Sequence, residues 1–165
     1  MIILGIDPGL ANIGYGVIDK DGDSLKVVDY GCIITKSNQE YMKRLEKIYD
    51  EVYRLIKDYQ PAVMAIEELF FCKNIKTALN VGQARGVIIL AGSQGNIKIK
   101  EYTPLQIKQA IVGFGHAKKD QVQEMVKLLL HLKDKPYSDD AADALAVAIC
   151  HAHCFKMETL KEANT

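Results

Sequence analysis

MIILGIDPGLANIGYGVIDK, residues 1–20, decides how the chain is read. Ile2 to Ile6 carry no polar side chain, so the segment predicts a buried strand. The run stops at a carboxylate, Asp7, and Pro8-Gly9 turns the chain away at once. Burying an unpaired carboxylate is costly even after relaxation, so Asp7 calls for a cation, a metal or a set of donors. The plainer alternative is a turn-forming Asp before Pro-Gly.

Working outward, residues 13–19 and 25–35 read as two further extended segments, with Asp21-Gly22 between them as a hairpin signal. Ser37-Asn38-Gln39-Glu40 matches a capping box and predicts a helix start. Tyr41, Leu45, Ile48, Val52, Leu55 and Tyr59 then form one apolar stripe that ends before Pro61. Ala62 to Ile66 is an apolar run with no polar face, as in a parallel strand covered on both sides, and it ends in Glu67 and Glu68. A helix over 74–93 carries a small-residue ridge of Ala78, Gly82 and Gly86, expected to pack on the sheet, with a second subunit as the alternative. A strand over 97–101 precedes a helix capped by Thr103 with Pro104 at its first position. Helices over 119–131 and 139–155 follow, separated by Asp134-Lys135-Pro136. This order predicts an α/β sheet with a hairpin edge and parallel strands beyond it.

A length of 165 residues suits one domain, here expected over 1–155, with 156–165 as a flexible tail. The hydrophobic share of 48% and charged share of 25% are those of a globular protein. No apolar run approaches the roughly 18 to 20 residues that span a bilayer, so no membrane role is expected. MIILGID lacks the basic region and cleavage site of a signal peptide, and Cys32, Cys72, Cys150 and Cys154 form no disulfide framework; a cytoplasmic location is expected. Formal net charge is zero, but residues 71–135 hold 11 Lys and Arg against 4 Asp and Glu, whereas the rest holds 10 against 17. Such asymmetry fits acids gathered in one place and a basic surface presented in another, or a set of solvated helix faces.

If the first and fourth strands are parallel neighbours, Asp7 and Glu67 end side by side at the ligand crevice of an open α/β sheet. In Ser138-Asp139-Asp140-Ala141-Ala142-Asp143-Ala144, Asp143 can share a helix face with Asp140 or with Asp139, and Ser138 or Asp139 can serve as cap. Ala141, Ala142 and Ala144 leave that helix thin enough to approach the sheet. Four carboxylates converging on one point repel each other unless a cation is present, and oxygen-only ligation selects a hard ion such as Mg²⁺. Two such ions roughly 3.5 to 4 Å apart activate water and stabilise the leaving oxygen of a phosphodiester. The reaction class expected of such a site is phosphoryl hydrolysis.

ILGIDPG with Gly14-Tyr15-Gly16, Ala65-Ile66-Glu67, LNVGQARG at 79–86, Gln106-Ile107-Lys108-Gln109 with Val112-Gly113, and DAADALA at 140–146 together resemble the RuvC family of bacterial Holliday junction resolvases. The motifs run in order from about residue 2 to 153. The resemblance implies a ribonuclease H-like three-layer fold with a mixed five-stranded sheet, strands 1–3 antiparallel and strands 4–5 parallel, flanked by helices. It implies a homodimer that binds a four-way DNA junction and nicks two strands of like polarity, leaving ligatable 5′-phosphate and 3′-hydroxyl ends. It implies Mg²⁺, replaceable by Mn²⁺, as two ions per active site, and the RuvA and RuvB branch-migration complex as partner. Catalytic and metal-holding roles fall on Asp7, Glu67, Asp140 and Asp143, which selects Glu67 over Glu68 and Asp140 over Asp139. DNA contacts fall on Phe70, which would stack on bases near the junction, and on Lys108 and Lys119 near the scissile phosphate. Lys73 and Lys118 would assist.

Asp-x-Gly after a first strand also opens sugar kinases and actin-like ATPases, but those need two such domains around a cleft. The smaller YqgF-type nucleases share the first motif, and LNVGQARG favours RuvC over them. Some relatives carry a basic C-terminal tail, whereas KMETLKEANT is nearly neutral, so tail-assisted DNA binding is not assumed. Cys150 and Cys154, with His151 and His153, lack a second ligand pair at finger spacing and read as ordinary packed thiols. Gly14 and Gly16 are expected to keep the returning strand slim beside the DNA backbone.

Overall fold

The computed structural model describes residues 1–68 and 75–163. The chain forms β1 (Ile2–Asp7), β2 (Asn12–Asp21), β3 (Ser24–Ile34), α1 (Tyr41–Tyr59), β4 (Val63–Glu67), α2 (Ile75–Gln94), β5 (Lys98–Tyr102), α3 (Pro104–Val112), α4 (Lys119–Leu129) and α5 (Asp139–Ala163). The sheet order is β3-β2-β1-β4-β5. β1 pairs antiparallel with β2 and parallel with β4, β2 pairs antiparallel with β3, and β4 pairs parallel with β5. This is the mixed, ribonuclease H-like sheet that the family resemblance implies.

Side-chain alternation along the strands divides the core into two layers. Leu4, Ile6, Ile13, Val17, Met64 and Ile66 face α1 and α2 and pack on Ile48, Val52, Ala84 and Ile88. Ile3, Ile18, Val63 and Ala65 face the other way, towards α3, α4 and α5. The two layers explain why β1 and β4 read as continuous apolar runs: both faces are covered. Asp21 and Ser24 pair and close the first hairpin through the two-residue loop Gly22-Asp23, in which Gly22 takes φ 57°; the hairpin forms where Asp21-Gly22 signals it, with the turn one residue further on.

α5 lies against β1 and β2 because those strands have no side chains in its way. A Cβ on Gly5 would stand 2.2 Å from the Ala144 carbonyl oxygen, and one on Gly14 would stand 1.9 Å from the Asp140 carbonyl oxygen. The facing surface of the helix is equally bare, with Ala141, Ala142 and Ala144 fully buried. Gly14 and Gly16 are therefore slim for the sake of α5 and not of a DNA backbone: a Cβ on Gly16 would strike Leu145 of the same helix.

Other local readings are corrected. The capping box at Ser37 does not form: α1 begins at Tyr41, after Glu40, which makes no side-chain cap. Gln39 instead accepts the Lys36 N–H at 2.8 Å and donates its own N–H to the Lys36 carbonyl, so the segment closes as a turn before the helix starts. The ridge of Gly82 and Gly86 does not meet the sheet, since a Cβ on either would meet nothing within 4 Å. Ala84, Ile88 and Ala91 form the sheet-facing side of α2. α5 continues as helix beyond 155, to Ala163. At the start of α3 the sequence reading matches in detail: Thr103 accepts the Gln106 N–H, Gln106 accepts the Thr103 N–H, and Pro104 occupies the first turn.

Candidate active site

Ile6 pairs with Ile66 in the parallel register, so the next residues, Asp7 and Glu67, finish adjacent strands at one edge of the sheet. Asp7 shares a strand face with Ile3 and Gly5, and Glu67 shares one with Val63 and Ala65. Both thus face α5. There the first turn of the helix supplies Asp140 and Asp143, held by a cap in which Ser138 Oγ accepts the Ala141 N–H at 3.1 Å. Ser138, not Asp139, fills the capping role.

The electrostatics show that the four acids share one field. Burial, and then the charges of Glu67, Asp143 and Asp140, push the Asp7 carboxyl up to about 8. Burial and Asp143 push Glu67 up to about 7, against the pull of Lys119 and Lys108. Asp143 is raised by burial even though Lys119 opposes the shift. A carboxylate raised by neighbouring carboxylates in a crevice is a functional-site signature.

A cation already stands among them. Lys119 Nζ, from the first residue of α4, donates to Asp143 Oδ2 at 2.9 Å and lies 3.3 Å from Asp139 Oδ2. Burial works against the Lys119 ammonium, but these bonds outweigh it and hold its pKa above the usual range. Asp139 is the outlying member, 68% exposed, and Gln123 Nε2 donates to it at 2.8 Å. Bonds from Gln123 and Lys119 hold Asp139 below the usual carboxylate range. Asp139 and Gln123 thus steer Lys119, a role that no spacing in the sequence announces.

Glu67, Lys108, Lys119 and Asp143 line a groove of about 250 Å³ floored by Ile107, Val122 and Ala146. Lys108 and Lys119 are therefore brought to the acids as expected. Lys118 caps α4 through its backbone, donating to Gln121 Oε1 at 2.8 Å. Phe70 and Lys73 lie outside the described residues. Among the described residues no three His, Cys, Asp or Glu side chains close into a ready-made metal cage. The donor set nevertheless fits a hard divalent cation: it is all oxygen, it is mutually repelling, and an ammonium group already neutralises part of it.

The cysteine-histidine segment of α5 does other work. Cys150 is buried, and burial together with Cys154 pushes its thiol up. His151 Nδ1 hydrogen-bonds Tyr102 Oη at 2.6 Å, and His153 Nδ1 donates to the Ala110 carbonyl at 3.0 Å. These contacts fasten α5 to β5 and α3.

The family described as "Crossover junction endodeoxyribonuclease RuvC" matches residues 3–151. A relative of that description from Halothermothrix orenii is 55% identical over 157 residues, covering 95% of each chain. The solved Thermus thermophilus RuvC structure superposes with a TM-score of 0.90 at 33% identity, covering 96% of this chain and 98% of that one. Thermus thermophilus RuvC in complex with Holliday junction substrate superposes with a TM-score of 0.88 at 30% identity, covering 95% and 96%. The chain belongs to the RuvC family of crossover junction endodeoxyribonucleases.

Proposed function

We propose that the chain resolves four-way DNA junctions by hydrolysing one phosphodiester in each of two strands of like polarity, leaving 5′-phosphate and 3′-hydroxyl ends. The observation that carries the reading is the convergence of Asp7, Glu67, Asp140 and Asp143 at one sheet edge, where the other three raise the charge cost of Asp7. Relatives named as crossover junction endodeoxyribonucleases and a related structure in complex with Holliday junction substrate support it.

Asp7, Glu67, Asp140 and Asp143 would hold divalent metal, Mg²⁺ with Mn²⁺ as substitute and two ions per site. Bound there, the metal would lower the pKa of an attacking water and offset charge on the leaving 3′-oxygen. The chain's own contribution is positional and electrostatic. β1 and β4 fix Asp7 and Glu67 on rigid strand ends, and α5 brings Asp140 and Asp143 to them without loop freedom. Lys119 and Lys108 face the groove and neutralise phosphate oxygens. Phe70 would stack on an unpaired base near the junction, and Lys73 and Lys118 would add weaker phosphate contacts.

Two like cuts require two active sites, and the α1–α2 layer offers a surface for a second copy. Met42 and Leu90 stand 58% and 50% exposed on that layer and, with Leu45, Tyr49 and Val87, line a shallow groove of about 440 Å³ that Glu46 and Asp50 also border. Exposed apolar side chains gathered on one face mark an association surface. The RuvA and RuvB branch-migration complex is the partner that would deliver the junction. Mg²⁺ titration over a synthetic four-way junction tests the reading: paired, symmetrically placed nicks that DNA ligase can seal are expected. Metal-independent cleavage, or ends that ligase cannot join, would sink it.

A further inference from the structure

A second groove, of about 320 Å³ and without Lys108 or Lys119, is lined by Asn12, Arg44, Thr77, Asn80 and Asp140. Asp140 belongs to this groove, whereas Glu67 and Asp143 belong to the first. The acid cluster thus borders both grooves. Arg44, in the first turn of α1, is the cation of the second. Its Nε donates to Thr35 Oγ1 at 2.8 Å, and that hydroxyl donates in turn to the Leu10 carbonyl at 2.5 Å. Thr35 is buried, so the guanidinium is aimed by a fixed hydroxyl tied to the loop that follows Asp7.

Of the three arginines in the chain, Arg54 pairs with Glu51 and Arg85 pairs with Glu101. Arg44 has no carboxylate within ion-pair distance among the described residues. An arginine held by one nitrogen and otherwise unmatched, beside two asparagines and a threonine, is suited to a phosphate oxygen pair and its sugar. We propose that this groove holds a backbone phosphate of the cut strand with Arg44 as its ligand. The strand then passes over the acids from the Lys108–Lys119 groove to the Arg44 groove, gripped on both sides of the scissile linkage. Two-sided grip is what fixes the reacting phosphate against the acids, because one anchored side leaves the strand free to pivot. This inference rests on the junction-nuclease reading.

Junction binding in Ca²⁺ and cleavage in Mg²⁺ test it with wild type, Arg44→Gln and Asn80→Asp. Arg44→Gln is expected to bind roughly tenfold more weakly at low salt, with the log–log salt slope shallower by about 1. Neutral methylphosphonate linkages are then placed one at a time on either side of the cut. One such linkage should weaken wild type but cost Arg44→Gln nothing further, while a neutral linkage on the opposite side should weaken both proteins. Equal penalties in both proteins at every linkage, or an unaltered affinity and slope in Arg44→Gln, overturns the proposal. Asn80→Asp keeps the test valid if Arg44→Gln does not fold. It places an acid in the groove with Arg44 intact and should weaken binding with the same single-linkage signature, and unaltered binding refutes the proposal. A wild type that neither binds nor cuts the junction refutes the parent reading instead, so the two failures are distinguishable.

Discussion

Asp7→Asn should make the metal-free protein more stable, and the gain should grow with pH. The Asp7 carboxyl has its ordinary value of 3.8 in the unfolded chain and is pushed up to about 8 in the folded one by burial and by Glu67, Asp143 and Asp140. Between those values the folded state keeps a proton that the unfolded state has lost. Stability is therefore highest below the unfolded value and falls as pH rises towards the folded one, by about 1.4 kcal/mol per pH unit for one proton. From pH 5 to pH 7 the loss due to Asp7 is about 2.7 kcal/mol. For a chain of this length that corresponds to a Tm lower by roughly 5 to 10 °C. Glu67, pushed up to about 7, adds a loss of the same sign that Asp7→Asn leaves in place. Thermal unfolding in EDTA at half-unit pH steps measures the difference. Wild type should lose Tm with rising pH more steeply than Asp7→Asn, and saturating Mg²⁺ should erase most of that excess. Parallel pH dependences in EDTA would refute the burial and crowding ascribed to Asp7.

Gly14→Ala places a methyl group 1.9 Å from the Asp140 carbonyl oxygen and must push α5 off the sheet; a loss of about 1 to 3 kcal/mol in urea unfolding and near-complete loss of cleavage are expected. Lys119→Met removes the ammonium that competes for Asp143, so half-saturating Mg²⁺ should fall while the plateau single-turnover rate drops by about 100-fold. Leu90→Glu puts a charge on the exposed α1–α2 face, and sedimentation velocity should show the monomer fraction rising, with cleavage shifting from paired to single nicks.

The fold was legible wherever the chain states its own burial. Apolar runs at 2–6 and 62–66 mark central strands, because only strands covered on both faces drop their polar side, and the structure pairs them at Ile6 and Ile66. Thr103-Pro104 marks a helix start because the cap is local and needs nothing from the rest of the fold. Ser37 misled for the converse reason. Its capping box competes with a turn closed by Gln39 and with the tie from Thr35 to the β1–β2 loop, and those contacts win. The glycine ridge of α2 misled because small residues announce close approach without naming the partner. The acids at the site were legible as strand-end and helix-start carboxylates, whereas the choice of Glu67 over Glu68 and Asp140 over Asp139 came from the family motifs. Strand register adds a reason for the first: Glu67 shares a face with Ala65 towards α5. Gln123 and Arg44, and the part Asp139 plays in holding Lys119, were invisible in the sequence because each acts through a contact between segments that no local pattern encodes.

The central claim is that four carboxylates at one sheet edge act as a single catalytic unit, while the basic groups beside them supply the affinity for DNA. Single-turnover cleavage of a four-way junction in Mg²⁺, with junction affinity measured in parallel, tests it for Asp7→Asn, Glu67→Gln, Asp140→Asn and Asp143→Asn. The expected result is that each variant loses cleavage by at least about 100-fold and binds the junction at least as tightly as wild type. A variant of any of the four that cuts at the wild-type rate would contradict the account.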